Sequence, residues 1–413
     1  MKVFVETYGC TMNQGEGRML MDALSSLGHE AAENAVEADL IVLNTCVVIK
    51  TTENRMIKRI REISGQRKHL VVTGCMASVF PDKIVKNAPY AKIVPPSQYD
   101  TFSDLVTSTF GAGPPLPITP DGVTSILPIA QGCVGSCTYC ITRRARGRLA
   151  SYPEQDIIED AKKALAGGSR ELLVSSQDTA CYGFDQGTDL GHLLRRLTAL
   201  PGDFRIRVGM MNPDNLSKIE DSFIPAWLDG KIYKFIHLPV QSGSDHILAE
   251  MGRGYRAAEV ARLIGRLRKA CPEMTLSTDV IAGFPGETSD DHLETVKLLK
   301  EIRPDIVNVT RFSSRPGTPA HRSREKVPGR IAKDRSRELS ELRFDIAREI
   351  NERLVGSTLE ILITEVGKGD SMVGRTSTYK PVVIKKALPL GSKASVKITS
   401  STPTHLFGKC IEE

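Results

Sequence analysis

The sequence predicts an α/β protein in three parts: an N-terminal parallel α/β domain, a partial (β/α)6 barrel and a small C-terminal antiparallel β barrel. Three observations carry this. Apolar runs alternate with amphipathic helical patterns from residue 2 to about 105, and the alternation resumes six times from 125. The stretch TSTFGAGPPLPITPDG (107–122), with four prolines and three glycines, separates the two series as a linker. After Gly356 the helical period gives way to short β runs.

Strands are expected at 2–8, 39–45 and 69–74, with helices at about 13–28 and 51–64, which makes a βαβαβ unit. The first helix carries an apolar stripe of Met19, Leu20, Ala23, Leu24 and Leu27. The domain spans 1–106 and the linker 107–124. Strands at 125–132, 170–176, 205–211, 233–240, 274–281 and 305–312 come next. Helices at about 154–166, 189–199, 214–229, 244–270 and 289–302 lie between them. Six repeats fall short of the eight that close a (β/α)8 barrel, so an open barrel is expected, with its active face at the carboxyl ends of the strands. A long amphipathic helix at 329–354, with Ile331, Leu339, Leu342, Ile346, Ile350 and Leu354 on one side, ends the 125–354 domain. The runs TLEILITEV, MVGRTST, KPVVIKK, SKASVKITSS and LFGKCIE, parted by Gly367, Gly369, Asp370, Gly391 and Ser392, fit a five-strand barrel over 355–413.

Bulk properties narrow the class. No run of 18 apolar residues exists, so no membrane span is expected. The start MKVFVETYG lacks a long apolar core, so no signal peptide is expected and the cytoplasm is the default location. Net charge is +6, but its distribution says more. Residues 311–348 hold eleven Lys/Arg against five Asp/Glu, which also fits a solvated helix face. The C-terminal barrel has eight against five. Arg143, Arg144, Arg146 and Arg148 crowd together directly after a cysteine motif, and basic charge beside a reactive centre favours a polyanion such as RNA.

That motif is Cys133-x3-Cys137-x2-Cys140. Three thiolates at this spacing can hold three corners of an iron–sulfur cubane and leave the fourth iron open to a cofactor. The alternative is a zinc site, which wants four Cys/His ligands. No histidine lies between His69 and His192 to serve as the fourth. Tyr139 would set a ring against whatever binds the open iron. Cys10, Cys46 and Cys75 each follow an apolar run (VFVETYG, LIVLNT, LVVTG), so all three fall at carboxyl ends of parallel strands, where open sheets build their sites. A lone buried cysteine is usually a small hydrophobe, but three equivalent ones fit a second cluster. Cys181, Cys271 and Cys410 have no such pattern.

Polar residues recur where the barrel strands should end: Ser175, Gln177 and Asp178; Asn212; His237, Gln241 and Ser242; Thr278 and Asp279; Arg311. As a set they fit a polar cofactor site. Singly each is as well a cap or turn, as for Asp178 or Ser244. GFPGET (283–288) offers a turn where backbone can approach a flat ligand, or an ordinary strand-to-helix turn capped by Thr288 or Ser289.

CVGSCTYC before six βα repeats resembles the radical S-adenosylmethionine (SAM) enzymes. With the three-cysteine N-terminal domain and the terminal barrel, and with ETYGCTMN, LNTC, TGC, HLPVQSGS, DVIAGFPGET and RFSSRPGTPA, the whole chain resembles the methylthiotransferases. The last domain is similar to the RNA-binding domain called TRAM. ARGRLASYP (145–153) and SSQDTACYGFDQGTDL (175–190) are similar to the archaeal and eukaryotic branch, which acts on N6-threonylcarbamoyladenosine at position 37 of tRNA.

The resemblance implies two [4Fe-4S] clusters, on Cys133, Cys137 and Cys140 and on Cys10, Cys46 and Cys75. The first would cleave SAM to a 5′-deoxyadenosyl radical that takes hydrogen from C2 of adenine, and the second would deliver methylated sulfur. SAM contacts are expected from Tyr139, Ser175, Gln177, Gln241, Asp279, Ile281 and Gly283. Substrate contacts are expected from Arg143, Arg144, Arg146, Arg148 and Arg311. Partners implied are the tRNA anticodon loop, an electron donor such as flavodoxin or ferredoxin, and a sulfur donor of unknown identity. The rival readings are an isopentenyladenosine tRNA or ribosomal-protein substrate, or a non-catalytic metal-stabilised RNA-binding protein.

Overall fold

Five parallel strands open the chain in the computed structural model, which describes residues 1–66, 68–116 and 122–411. They are β1 (Lys2–Thr7), β2 (Glu30–Ala31), β3 (Leu40–Thr45), β4 (His69–Gly74) and β5 (Lys92–Val94), in the order β2-β1-β3-β4-β5. All six residues of β3 are buried, as expected of a central parallel strand covered on both faces. Helices α1 (Thr11–Ser26), α2 (Lys50–Ser64), α3 (Cys75–Val79), α4 (Pro81–Asn87) and α5 (Phe102–Phe110) cover it. The sequence reading did not anticipate β2, α3, α4, β5 or α5. Helix α5 takes the first four residues of the expected linker, because Phe110 packs its ring on His69, 5.2 Å away. Residues 117–121 of that linker lie outside the described residues.

The next domain holds β6 (Thr124–Pro128), β7 (Ala130–Gln131), α6 (Thr142–Arg146), β8 (Ala150–Ser151), α7 (Glu154–Ala166), β9 (Glu171–Ser175), α8 (Leu190–Thr198), β10 (Arg205–Val208), α9 (Pro213–Lys218), α10 (Glu220–Trp227), β11 (Phe235–His237), α11 (Asp245–Glu250), α12 (Ala257–Ala270), β12 (Thr275–Ala282), α13 (Ser289–Ile302), β13 (Ile306–Arg311), α14 (Pro319–Arg322) and α15 (Gly329–Glu352). Strands β6, β9 and β10 form one parallel sheet, and β11, β12 and β13 another. The two meet at a single bridge, Ile206 to Ile232, where the Tyr233 N–H donates to the Ile206 carbonyl at 2.9 Å. The result is the open six-strand barrel. Two helices expected as single pieces are split. The run 214–229 breaks at Ile219, between α9 and α10. The run 244–270 breaks at Gly252, whose φ of +69° an L residue rarely adopts.

Strands β14 (Thr358–Val366), β15 (Met372–Thr376), β16 (Pro381–Ile384), β17 (Lys393–Ser401) and β18 (Leu406–Cys410) close into a barrel around Ile361, Ile363, Val382, Val396 and Leu406. One seam, β16 to β18, is parallel, which corrects the all-antiparallel expectation. Five strands cannot alternate direction all the way round a closed ring. This barrel docks at the starts of the large barrel's strands. Lys380 Nζ binds Asp305 Oδ1 at 2.5 Å, just before β13.

Several contacts set the first two domains face to face. Ile141 and Ala145, flanking and within α6, are buried in the N-terminal core beside Met76 and Ala77. Arg315, after β13, donates to Glu53 of α2 at 2.7 Å, with both side chains buried.

Candidate active site

The sheet register delivers the first three thiols to one edge. Thr7 pairs with Asn44, and Thr45 with Gly74, so the chain reaches Cys10, Cys46 and Cys75 just past adjacent strand ends. Gly74 has φ +78°, and a Cβ there would lie 2.3 Å from Asn44 Oδ1, so only glycine lets β4 turn into Cys75 at this spacing. Asn13 ties the edge together: its Nδ2 donates to the Tyr8 carbonyl at 2.8 Å and the Thr45 carbonyl at 3.1 Å.

Cys133, Cys137 and Cys140 stand after β7 on the opposite side. Gln177 Oε1 accepts from the Gly132 N–H at 2.6 Å and anchors the start of their loop. The break before α12 grips its middle: Thr138 N–H donates to the Met251 carbonyl at 2.9 Å, and Thr138 Oγ1 to the Glu250 carbonyl at 2.7 Å. Arg253 Nη2 reaches the Tyr139 hydroxyl at 2.7 Å. Sequence reasoning missed Arg253, because it sits in what reads as one continuous helix; Gly252 and Gly254 on either side were the available signal.

All six thiols line one cavity of about 410 Å³, together with Ser175, Gln177, Arg143, Arg146, His237 and Asp279. All nine cysteines are free thiols. Burial pushes Cys75 and Cys133 up to about 11 each, and it also raises Cys46 and Cys137. A bound metal must therefore displace protons from these sites. Three thiols at each edge can bind three separate irons of a cubane, whereas a structural zinc wants four ligands around one point. Two trios of thiols facing one chamber, each without a fourth local ligand, fit two clusters with an open iron apiece.

A second cavity of about 370 Å³ adjoins the first at Cys140 and Asp279, and is lined by Tyr139, Gln241, Ile281, Asn308 and Arg311. Gln241 has φ +68°, and its backbone exchanges with Asp279 and Ile281 at 2.8 and 2.9 Å. Burial pushes the Asp279 carboxyl up, but hydrogen bonds from His237 (3.1 Å) and Asn308 (2.7 Å) outweigh it and hold the group below the usual range. Asp279 is an anion fixed at the junction of the two cavities. The cap readings also hold locally. Asp178 accepts from the Ala180 N–H, Ser244 from Ile247 and Thr288 from Asp291.

Two expected site residues have other work. Arg146 is buried, with side-chain exposure of 1%, and pairs with Glu16, Asn13 and Cys75, so it is closed to RNA. Gly283 faces Ala332 of α15, whose Cβ would lie 2.4 Å from a Cβ at 283, so its bareness serves helix packing. Arg143 lines the cysteine cavity with Nη1 on the Gly135 carbonyl at 2.8 Å. Arg144 is exposed on the Pro316 carbonyl at 2.8 Å, and Arg148 and Arg311 are exposed.

Comparison with known proteins agrees with this layout. The chain matches the Uncharacterized protein family UPF0004 over residues 2–95, the Radical SAM superfamily over 127–299 and the TRAM domain over 352–411. It is 40% identical over 432 residues to the probable threonylcarbamoyladenosine tRNA methylthiotransferase of Pyrococcus horikoshii, covering 99% of both chains. It is 38% identical to that of Methanothermobacter thermautotrophicus, covering 98% of this chain and 99% of that one. It is 32% identical to the threonylcarbamoyladenosine tRNA methylthiotransferase of Homo sapiens, covering all of this chain and 74% of that one. In fold it is similar to the radical S-adenosylmethionine methyltransferase TsrM of Kitasatospora setae, with TM-score 0.59 at 14% identity over 77% of this chain and 73% of that one.

Proposed function

From the premise that this chain belongs to the threonylcarbamoyladenosine tRNA methylthiotransferase family, we propose that it places a methylthio group on C2 of N6-threonylcarbamoyladenosine at position 37 of tRNA. It is a radical SAM enzyme that uses SAM and a [4Fe-4S] cluster, and its substrate is tRNA. A second cluster, on Cys10, Cys46 and Cys75, belongs to the proposal. The observation that carries it is the single cavity lined by thiols from two domains. Unactivated adenine C2 needs one-electron chemistry and a sulfur source, which the bound groups supply. The chain's own residues bind, orient and seal.

Cys133, Cys137 and Cys140 hold one cluster, and Cys10, Cys46 and Cys75 the other. Gln177 and the Thr138 contacts fix the first loop, and Asn13 fixes the second edge. Asp279, Gln241, Ile281, Ser175, Gln177 and Tyr139 surround the adjoining cavities and are assigned to SAM. The Asp279 anion suits a polar or cationic part of that molecule. Such a chamber brings reactants into one orientation and keeps water away. Arg143 lines the chamber, and Arg144, Arg148 and Arg311 lie exposed on this side of the molecule, where a splayed anticodon nucleotide would bring its phosphates. An electron donor of the flavodoxin or ferredoxin class completes the reaction. The proposal assigns the enzyme to the cytoplasm, and among the described residues no helix is long and apolar enough to cross a membrane.

The test is a nucleoside mass analysis. Anaerobically reconstituted protein meets SAM, a reductant and tRNA bearing threonylcarbamoyladenosine, with isopentenyladenosine tRNA and a ribosomal protein in parallel. A methylthio mass gain on threonylcarbamoyladenosine alone is expected. A gain on either parallel substrate, or none on the first while SAM is cleaved, overturns the substrate assignment.

A further inference from the structure

Arg207, on β10, also lines the cysteine cavity and belongs to none of the proposed cluster, SAM or RNA contacts. Among the described residues it forms no ion pair, and its Nε is buried without a hydrogen-bond partner. Glu171, the buried carboxylate on neighbouring β9, accepts from Thr124 Oγ1 at 2.8 Å and the Tyr233 hydroxyl at 3.0 Å, and the Arg207 charge acts on it with no hydrogen bond between them. Two rings hold Arg207 instead. Its guanidinium carbon lies 4.9 Å from the Phe235 ring centre and 5.1 Å from that of Tyr379.

Tyr379 belongs to the C-terminal barrel, at the turn between β15 and β16. Its φ of +68° is costly for a non-glycine residue and persists only where the surroundings enforce it. They do so here. Its ring meets Tyr233 at 4.9 Å and Phe235 at 5.3 Å. The Lys234 N–H donates to the Ser377 carbonyl at 2.8 Å, and Lys380 is pinned by Asp305 and Asn351. The turn thus enters the open barrel from the end opposite the cysteines.

A guanidinium resting on aromatic faces uses its flat surface and leaves its in-plane N–H donors free. Those donors match a carboxylate two at a time. We propose that Arg207 is the carboxylate receptor of the reaction cavity and that Tyr379 of the C-terminal barrel is its positioning residue. The inference rests on the proposed function, which supplies two carboxylates: the threonyl group of the nucleoside and the methionyl end of SAM. It gives the C-terminal barrel a part in the active site beyond RNA binding.

The test compares Arg207→Met, Tyr379→Ala, Tyr379→Phe and the Arg207→Met/Tyr379→Ala double variant in reconstituted full-length protein. Two affinities are read directly: Kd for SAM by dialysis, and the ratio of Kd values for an anticodon stem-loop with and without the threonylcarbamoyl group. Loss of a hydrogen-bonded charge pair weakens binding about tenfold or more. If the threonyl group is the ligand, Arg207→Met abolishes the preference for the modified stem-loop. If the methionyl end is, its Kd for SAM rises about tenfold or more. If neither changes, the receptor role is overturned. Tyr379→Ala should reproduce most of the Arg207→Met effect, Tyr379→Phe little of it, and the double variant no more than Arg207→Met alone. Additive losses in the double variant overturn the positioning role. A wild-type protein that cleaves SAM but modifies no tRNA overturns the proposed function instead, and Kd for SAM still reads the methionyl arm.

Discussion

The Arg146 Nε lies 3.4 Å from the Cys75 Sγ, so an arginine from the domain of one cysteine trio donates to a thiol of the other. The same guanidinium pairs with Glu16 through both nitrogens of its fork and with Asn13 at 2.8 Å. Asn13 in turn accepts from the Cys10 thiol at 3.6 Å. Removing one partner of a buried pair leaves an uncompensated charge and costs about 3–5 kcal/mol. Arg146→Met is therefore expected to destabilise the protein by about that amount, and Arg146→Met with Glu16→Leu by much less. Urea unfolding of the iron-free protein checks this. A single variant as stable as wild type would remove the network from the account.

The two thiol trios should separate by function. Cys137→Ala is expected to abolish SAM cleavage. Cys46→Ala should keep SAM cleavage and lose methylthio product, with about half the wild-type iron if, as proposed, each trio carries one cluster of equal size. Assays for methionine release, nucleoside mass and iron content read the three outcomes. Full product from Cys46→Ala would refute the division of labour.

Glu53 predicts a pH dependence. Burial pushes its carboxyl up, but hydrogen bonds from Lys50, Lys83 and Arg315 overcome this and bring it down to about 2. A carboxyl depressed in the folded state contributes stability that is complete above its unfolded value. That contribution fades as pH falls through the folded one. The window is therefore 4.5 down to about 2. Because Arg315 belongs to the second domain, the loss should appear as domain separation. Glu53→Gln is expected to flatten the acid dependence of the unfolding midpoint between pH 5 and 3, measured against wild type; an unaltered slope would exclude Glu53 as its source.

How legible this was in the sequence depended on the range of the signal. The strands before Cys46 and Cys75 could be read because LIVLNT and LVVTG are continuous apolar runs. Helix α7 begins and ends where its pattern does, at Glu154 and Ala166. Cys10, Cys46 and Cys75 could be grouped because strand ends in a parallel sheet share one edge, and Cys133, Cys137 and Cys140 because of their spacing. Arg146 could not be placed. Four arginines in six residues look alike in sequence, and only the packing of Ala145 into the N-terminal core decides that Arg146 turns inward. Arg207 and Tyr379 were invisible because their contact joins residues far apart in the chain, and no local period encodes it.

The outer face of the C-terminal barrel carries two lysines set against each other. Lys397 on β17 pairs directly with Lys409 on β18, and both are exposed. Like charges opposite one another on antiparallel strands destabilise a sheet. Among the described residues no acid pairs with either lysine. Phe407, 36% exposed, stands two residues before Lys409 with its ring 4.8 Å from His405, an arrangement on which a base could stack. The unfavourable pair makes sense as a site kept for phosphate. Each phosphate neutralised adds about 0.7–0.9 to the slope of log Kd against log salt. The Lys397→Ala/Lys409→Ala variant is therefore expected to lower that slope for tRNA by about 1.4–1.8, while SAM cleavage stays at wild-type rate. The variant should also melt no lower than wild type, because a repulsion has been removed. An unchanged salt slope would take this face out of the RNA interface, and a lower melting point would show that the lysines stabilise the barrel in some other way.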